Sequence, residues 1–157
     1  VTTLYGHSWD DNSDGNIFAQ LKRYRDPAFA REQPYIFFST AEADMAWEVF
    51  AVFDTTIYLP YVRPNLSQDV FYQTLDTIYD LSYYNYDIAV DANDRILALS
   101  TCTYSVDGHP TLPEINEYRF VVMARLVDPD ETPRDTAVFA VNESRLAPDA
   151  TRSMRHL

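Results

Sequence analysis

With 157 residues the chain suits one folded domain, and its 46% hydrophobic content is enough to build a core. A formal net charge of −12 argues against nucleic acid and against an anionic membrane surface, since both call for clustered Lys and Arg. The single cysteine excludes an internal disulfide, and no apolar run approaches the ~20 residues that span a bilayer; nor does a secretory leader open the chain at Val1.

Val1 to Tyr5 is β-like and ends at Gly6-His7, and the polar, acidic stretch from Ser8 to Asp14 reads as a loop. Asp14 is placed to cap a short amphipathic helix in which Ile17, Phe18, Leu21 and Tyr24 recur at helical spacing. Pro27 suits the first turn of a further helical segment through Arg31. Pro34 to Thr40 and Ala46 to Phe53 read as consecutive strands, with Ala41 to Asp44 as the hairpin loop between them. After a proline-punctuated loop from Leu59 to Pro64, Ser67 caps a helix whose Val70, Phe71, Thr74, Leu75 and Ile78 share a face. Tyr83-Tyr84-Asn85-Tyr86 leads into a weak strand at Ile88 to Val90, and Asn93-Asp94 marks the turn before a strand from Arg95 to Thr101. Tyr104 to Tyr118 is a loop holding Gly108, Pro110 and Pro113, and Arg119 to Val127 is the next strand. Asp128-Pro129-Asp130-Glu131-Thr132-Pro133 then breaks the sheet, Ala137 to Val141 suits a last strand, and the remainder is a polar tail. The chain thus divides into a domain at 1–127 and an extension at 128–157.

The chemistry concentrates at strand ends. The strand from Arg95 delivers Cys102 to its end, Arg119 opens another strand, and His7 follows the first. Free cysteine is among the most buried residue types, so a core thiol is the plain alternative. A cysteine, a histidine and an arginine at strand ends suit thiol-based acyl transfer, as nucleophile, proton carrier and carbonyl-polarising cation. His109, in the loop after the cysteine, and His156, in the tail, read as solvated. Arg125 shares the strand and the face of Arg119.

Leu99-Ser100-Thr101-Cys102 resembles the sortase signature TLxTC, with Ala98 standing where that motif has threonine. Tyr5-Gly6-His7 is similar to the family's histidine motif, and Arg119 before Phe120-Val121-Val122 to its arginine motif. Asp14 to Tyr24, leading into Asp26-Pro27-Ala28-Phe29, is most similar to class B sortases, and the likeness runs over residues 3 to 127 with the elements in the family's order. The resemblance implies a mostly-β fold, a closed sortase-type barrel with peripheral helices. It implies a cysteine transpeptidase without cofactor or metal, at the outer face of the cell membrane of a Gram-positive bacterium. Its catalytic residues would be Cys102, His7 and Arg119. Its partners would be surface proteins bearing a C-terminal sorting signal, and an amine on a cell-wall precursor or a pilin. Ser100 and Thr101 are candidates for hydrogen bonds to substrate, with ordinary strand packing as the alternative. In the family the histidine motif follows several strands and a membrane anchor. The chain therefore reads as the C-terminal two-thirds of a catalytic domain, its first strands missing and its membrane attachment with them. Class B members commonly carry an acid shortly after the cysteine; Thr103 and Tyr104 stand there, so no acid is carried over.

One motif is set aside. Asp10-Asp11-Asn12-Ser13-Asp14-Gly15 matches the opening of an EF-hand loop, but Phe18 and Leu21 stand where later calcium ligands are needed, so the stretch reads as a solvated acidic loop. One cysteine and scattered histidines make no zinc site. Tyr58, Tyr61, Tyr79, Tyr83, Tyr84 and Tyr86 read mainly as packing, although sortases build their peptide groove near Tyr58 to Pro64 and the strand into Tyr86. Two other readings stay open: a hydrolytic cysteine peptidase and a catalytically silent peptide-binding module.

Overall fold

A computed structural model describes residues 1–9, 11–63, 65–106, 109–110 and 117–156, with the backbone alone at His109, Pro110 and His156. In chain order it contains strand β1 (Thr2–Tyr5), a first 3-10 helix (Ile17–Arg25), helix α1 (Pro27–Glu32), strands β2 (Tyr35–Phe37) and β3 (Ala46–Thr56), and helix α2 (Gln68–Leu81). Strands β4 (Tyr84–Tyr86), β5 (Ile96–Cys102), β6 (Ser105–Val106), β7 (His109–Pro110), β8 (Tyr118–Leu126) and β9 (Phe139–Val141) follow, then a closing 3-10 helix (Pro148–His156).

The near-continuous apolar runs in β3, β5 and β8 have one physical meaning: these strands are covered on both faces. They form the centre of a five-stranded sheet ordered β1-β5-β8-β3-β2, in which β1 runs parallel to β5 and the other neighbours are antiparallel. On one face Trp47, Val49, Val52, Leu97, Leu99, Phe120 and Val122 pack against Tyr24, Ala30, Tyr84 and Phe139. On the other, Phe50, Phe53, Ile96, Ala98, Val121 and Met123 pack against Leu75, Ile78 and Leu81 of α2. A bulge between Val49 and Ala51 explains why Val49 and Val52 share a face although their numbers differ in parity.

The helix ends follow local chemistry. The Ser67 hydroxyl accepts from the Val70 amide at 3.4 Å at the start of α2, and Asp26 accepts from the Ala28 amide at 2.9 Å at the start of α1, with Pro27 in its first turn. The first 3-10 helix departs from the amphipathic α-helix expected there. It starts after Asn16 rather than at Asp14, and its buried residues Ala19, Lys22 and Tyr24 do not follow an α-helical stripe. Its last residue, Arg25, is half-buried, so Ala19, Lys22 and Arg25 form a ridge with the three-residue repeat of a 3-10 helix. Ile17, at its start, has φ 58°, a left-handed conformation that is strained for a β-branched residue.

Three further expectations are corrected. The weak strand lies at Tyr84–Tyr86, not at Ile88 to Val90, because the tyrosines find β9 as an antiparallel partner, with the Tyr84 and Phe139 rings 4.4 Å apart. Ile88 and Val90 instead pack their side chains against the α2 face of the sheet. The loop from Tyr104 contains the short hairpin β6–β7. The polar tail folds into the closing 3-10 helix, which docks on β3 through the buried Thr151. Among the described residues the sheet is open, with β1 and β2 at its edges, where a closed barrel was expected. No helix among them is long and apolar enough to cross a membrane.

Candidate active site

Strand register brings the sequence-predicted residues together. Cys102, the last residue of β5, lies directly opposite Arg119 on β8. On the other side of β5, the parallel strand β1 pairs Tyr5 with Ser100, and the Gly6 amide extends the ladder by donating to the Ser100 carbonyl at 3.1 Å. The Thr101 hydroxyl donates to the Gly6 carbonyl at 2.7 Å, which pins the backbone immediately before His7. Gly6 is required by crowding: a Cβ there would run into the Phe18 ring. An open cleft of about 190 Å³ is lined by Tyr5, Gly6, His7, Ser100, Thr101, Cys102 and Arg119.

Within the cleft Cys102 is half-buried and His7 is exposed, its ring stacked on Trp9 with centroids 5.4 Å apart and planes inclined by 13°. The Arg119 guanidinium donates to the Tyr118 carbonyl at 2.8 Å. Ser100 and Thr101 line the cleft, and both hydroxyls have protein partners, Tyr61 at 2.9 Å and Gly6 at 2.7 Å. Burial pushes the Tyr61 phenol up to about 12, against a smaller opposing pull from the Ser100 hydrogen bond, so it stays protonated. Arg125 lies at the far end of β8, where it pairs with Glu48 at 2.9 Å and with Glu131. The side chains of His109 and His156 lie outside the described residues.

The acidic loop differs from its solvated reading. Asp10 lies outside the described residues, but Asp11 is drawn inward, to the Lys22 ammonium at 2.5 Å and to the amide of Tyr104 at 3.0 Å. Burial alone would raise the Asp11 carboxyl, but hydrogen bonds from Lys22, Ser105 and Tyr104 outweigh it and hold the group below the ordinary aspartate value. Beside it, Arg25 donates to Asp54 at 3.0 Å and to the Thr103 hydroxyl at 3.0 Å, and the Tyr83 hydroxyl donates to Asp54 at 2.6 Å. Among the described residues no group of three or more His, Cys, Asp or Glu is arranged to hold a metal ion.

Strand register thus sets a strand-end cysteine opposite an arginine in a mixed sheet, with a histidine just beyond the neighbouring parallel strand. The chain is homologous to class B sortases. It is 34% identical over 127 residues to sortase B of Staphylococcus aureus and 29% identical over 127 residues to sortase B of Listeria monocytogenes, in each case across 80% of this chain and 48% of the relative. The chain therefore spans about half the length of the curated relatives it matches. A crystal structure of S. aureus sortase B superposes with a TM-score of 0.64 at 28% identity, covering 80% of this chain and 55% of that one. A substrate complex of the same enzyme (TM-score 0.64, 28% identity) and a sortase B complexed with triglycine (0.64, 28%) each cover 82% of this chain, and 55% and 56% of their own. No protein-family model matches the chain.

Proposed function

We propose that the chain is the catalytic part of a class B-like cysteine transpeptidase that joins a surface protein to an amine. The observation that carries this reading is the single cleft shared by Cys102, His7 and Arg119. An ordinary thiol is mostly protonated at neutral pH, so the nucleophile needs a base, and among the described residues His7 is the histidine that lines the cleft. The Cys102 thiolate attacks a backbone carbonyl carbon in the sorting signal. The resulting oxyanion accepts hydrogen bonds from the Arg119 guanidinium, whose planar fork suits that role. As the C–N bond breaks, His7 gives its proton to the departing amine, and a thioester remains on Cys102. An incoming primary amine loses a proton to His7 and attacks the thioester, which forms the new amide and releases Cys102. The thioester conserves the energy of the cleaved amide, so no nucleotide is consumed.

The sorting-signal substrate and the amine acceptor are supported by the substrate and triglycine complexes of sortase B relatives. The proposed place of action is the outer face of a Gram-positive cell membrane.

Intact-mass spectrometry tests the proposal, with the chain incubated with a pool of sorting-signal peptides, with and without triglycine, and Cys102→Ala alongside. A mass increment on Cys102 that triglycine removes is the expected result. An increment lost to water at the same rate with or without triglycine would make the protein a hydrolytic peptidase. Peptide binding without any increment would make it a silent module.

A further inference from the structure

The Lys22 side chain is 1% exposed, and a buried ammonium costs several kcal/mol unless it is paired and hydrogen-bonded. Here it is both. Lys22 Nζ lies 2.5 Å from Asp11 Oδ1 and donates to the Ser8 hydroxyl at 2.6 Å. Ser8, itself buried, directly follows His7. The other end of the pair reaches the cysteine loop. Asp11 Oδ2 accepts from the Tyr104 amide at 3.0 Å and from the Ser105 hydroxyl at 2.6 Å, and the Thr103 hydroxyl lies 3.1 Å from Asp11 Oδ1. Direct contacts therefore run from the residue after His7, through Lys22 and Asp11, to the three residues after Cys102.

Stability alone is a weak reason for such a pair, because a well-packed apolar replacement of a buried ion pair is often neutral or stabilising. Fixed geometry between two loops is what the pair supplies. His7 needs it: the imidazole is exposed and stacks on Trp9, which is 78% exposed, so its position comes from the loop backbone rather than from a closed pocket. We propose that Asp11 and Lys22 are positioning residues that lock the histidine loop to the cysteine loop and so keep His7 in register with Cys102. This rests on the transpeptidase reading, in which those two residues work as a pair. Asp11 also supplies, from the histidine side, a carboxylate at the loop where Thr103 and Tyr104 follow the cysteine.

The test reads the coupling of His7 to Cys102 through the rate at which iodoacetamide alkylates Cys102 in the whole chain at neutral pH. In the native background His7→Ala slows alkylation about tenfold, a coupling of the size seen between contacting residues. In an Asp11→Asn background that still melts cooperatively, the same substitution slows it by less than about twofold. The double variant Asp11→Asn/Lys22→Met leaves no buried charge unpaired, shows the same lost coupling, and serves if Asp11→Asn alone does not fold. A His7 effect that persists at full size in a folded variant overturns the proposal and reduces the pair to a structural staple. If His7→Ala leaves the native rate unchanged, the catalytic pairing of His7 with Cys102 fails first, and the positioning role falls with it.

Discussion

Arg119 and Cys102 are direct partners across the β5–β8 ladder, the arginine second in its strand and the thiol last in its own. Directly opposed residues of an antiparallel pair project to the same face with Cα atoms about 4.5–5.5 Å apart, so the cation is bound to the thiol's position by backbone pairing rather than by a loop. Lysine at this position keeps the charge but not the planar fork. Arg119→Lys is therefore expected to lower thioester formation roughly 10²–10³-fold, the usual cost of losing an oxyanion donor, while changing folding stability by less than about 1 kcal/mol. Rapid mixing with intact-mass readout measures the first and urea unfolding the second. A near-native rate in this variant would remove Arg119 from the carbonyl-polarising role.

Beneath the thiol strand, Ser100 and Tyr61 share one buried hydroxyl–hydroxyl bond of 2.9 Å. Tyr61→Phe and Ser100→Ala each leave the other hydroxyl short of that partner, at about 1 kcal/mol apiece. The double variant should cost clearly less than the sum, with a coupling of about 1 kcal/mol by urea denaturation. Strict additivity would mean that the two hydroxyls do not depend on each other and would leave the Ser100 hydroxyl available for substrate.

The Asp11 carboxyl is held below its ordinary value in the fold, which fixes the sign of its pH dependence. A depressed carboxyl stabilises the native state fully above the unfolded value of about 4, and that contribution is lost as pH falls through the folded value. Asp54 acts in the opposite sense, since burial raises its carboxyl against the pull of Arg25 and Tyr83, so its contribution fades as pH rises. The difference between the native chain and Asp11→Asn isolates the first effect. Melting temperatures should lie furthest apart above about pH 5 and converge toward pH 2. A gap that stays constant across that range would show that Asp11 is not held ionised by its partners.

Several of these features were legible in the sequence because each had a local cause. The apolar runs of β3, β5 and β8 announce strands covered on both faces, and Ser67 with its following stripe announces α2. The strand-end positions of His7, Cys102 and Arg119 were equally readable, and register brings them to one cleft. What stayed hidden depends on partners elsewhere in the chain. Helical spacing after Gly15 predicts that Phe18, Leu21 and Tyr24 face the core, as they do, but gives no sign that Lys22 is buried, which follows from its partners Asp11 and Ser8 earlier in the chain. Tyr84–Tyr86 becomes a strand through β9, far along the chain, which no local pattern reveals.

The closing 3-10 helix was invisible for a different reason: its docking centres on a buried hydroxyl, with Met154 as the apolar residue packed against the core. Thr151 is fully buried; its hydroxyl donates to the Pro148 carbonyl at 2.7 Å, accepts from the Thr56 amide at 3.2 Å, and lies 2.7 Å from the Thr56 hydroxyl. Valine matches the shape of threonine but would strand these groups without water. Thr151→Val should therefore cost about 1–3 kcal/mol, the penalty of buried polar groups left unsatisfied. Thr151→Ser keeps the hydroxyl and gives up one buried methyl, which costs roughly 1 kcal/mol. Urea midpoints rank the three chains, and the expected order is native, then Ser, then Val. A valine variant at least as stable as the serine one would show that the methyl, not the hydroxyl, holds this helix against β3. The readout reaches the cleft as well: Arg152, the next residue, donates to Glu117 at 2.6 Å and to the Tyr118 hydroxyl at 3.2 Å, so a released helix also loosens the start of β8 beside Arg119. Thr151→Val should accordingly slow thioester formation where Thr151→Ser does not, measured at a urea concentration where both remain folded.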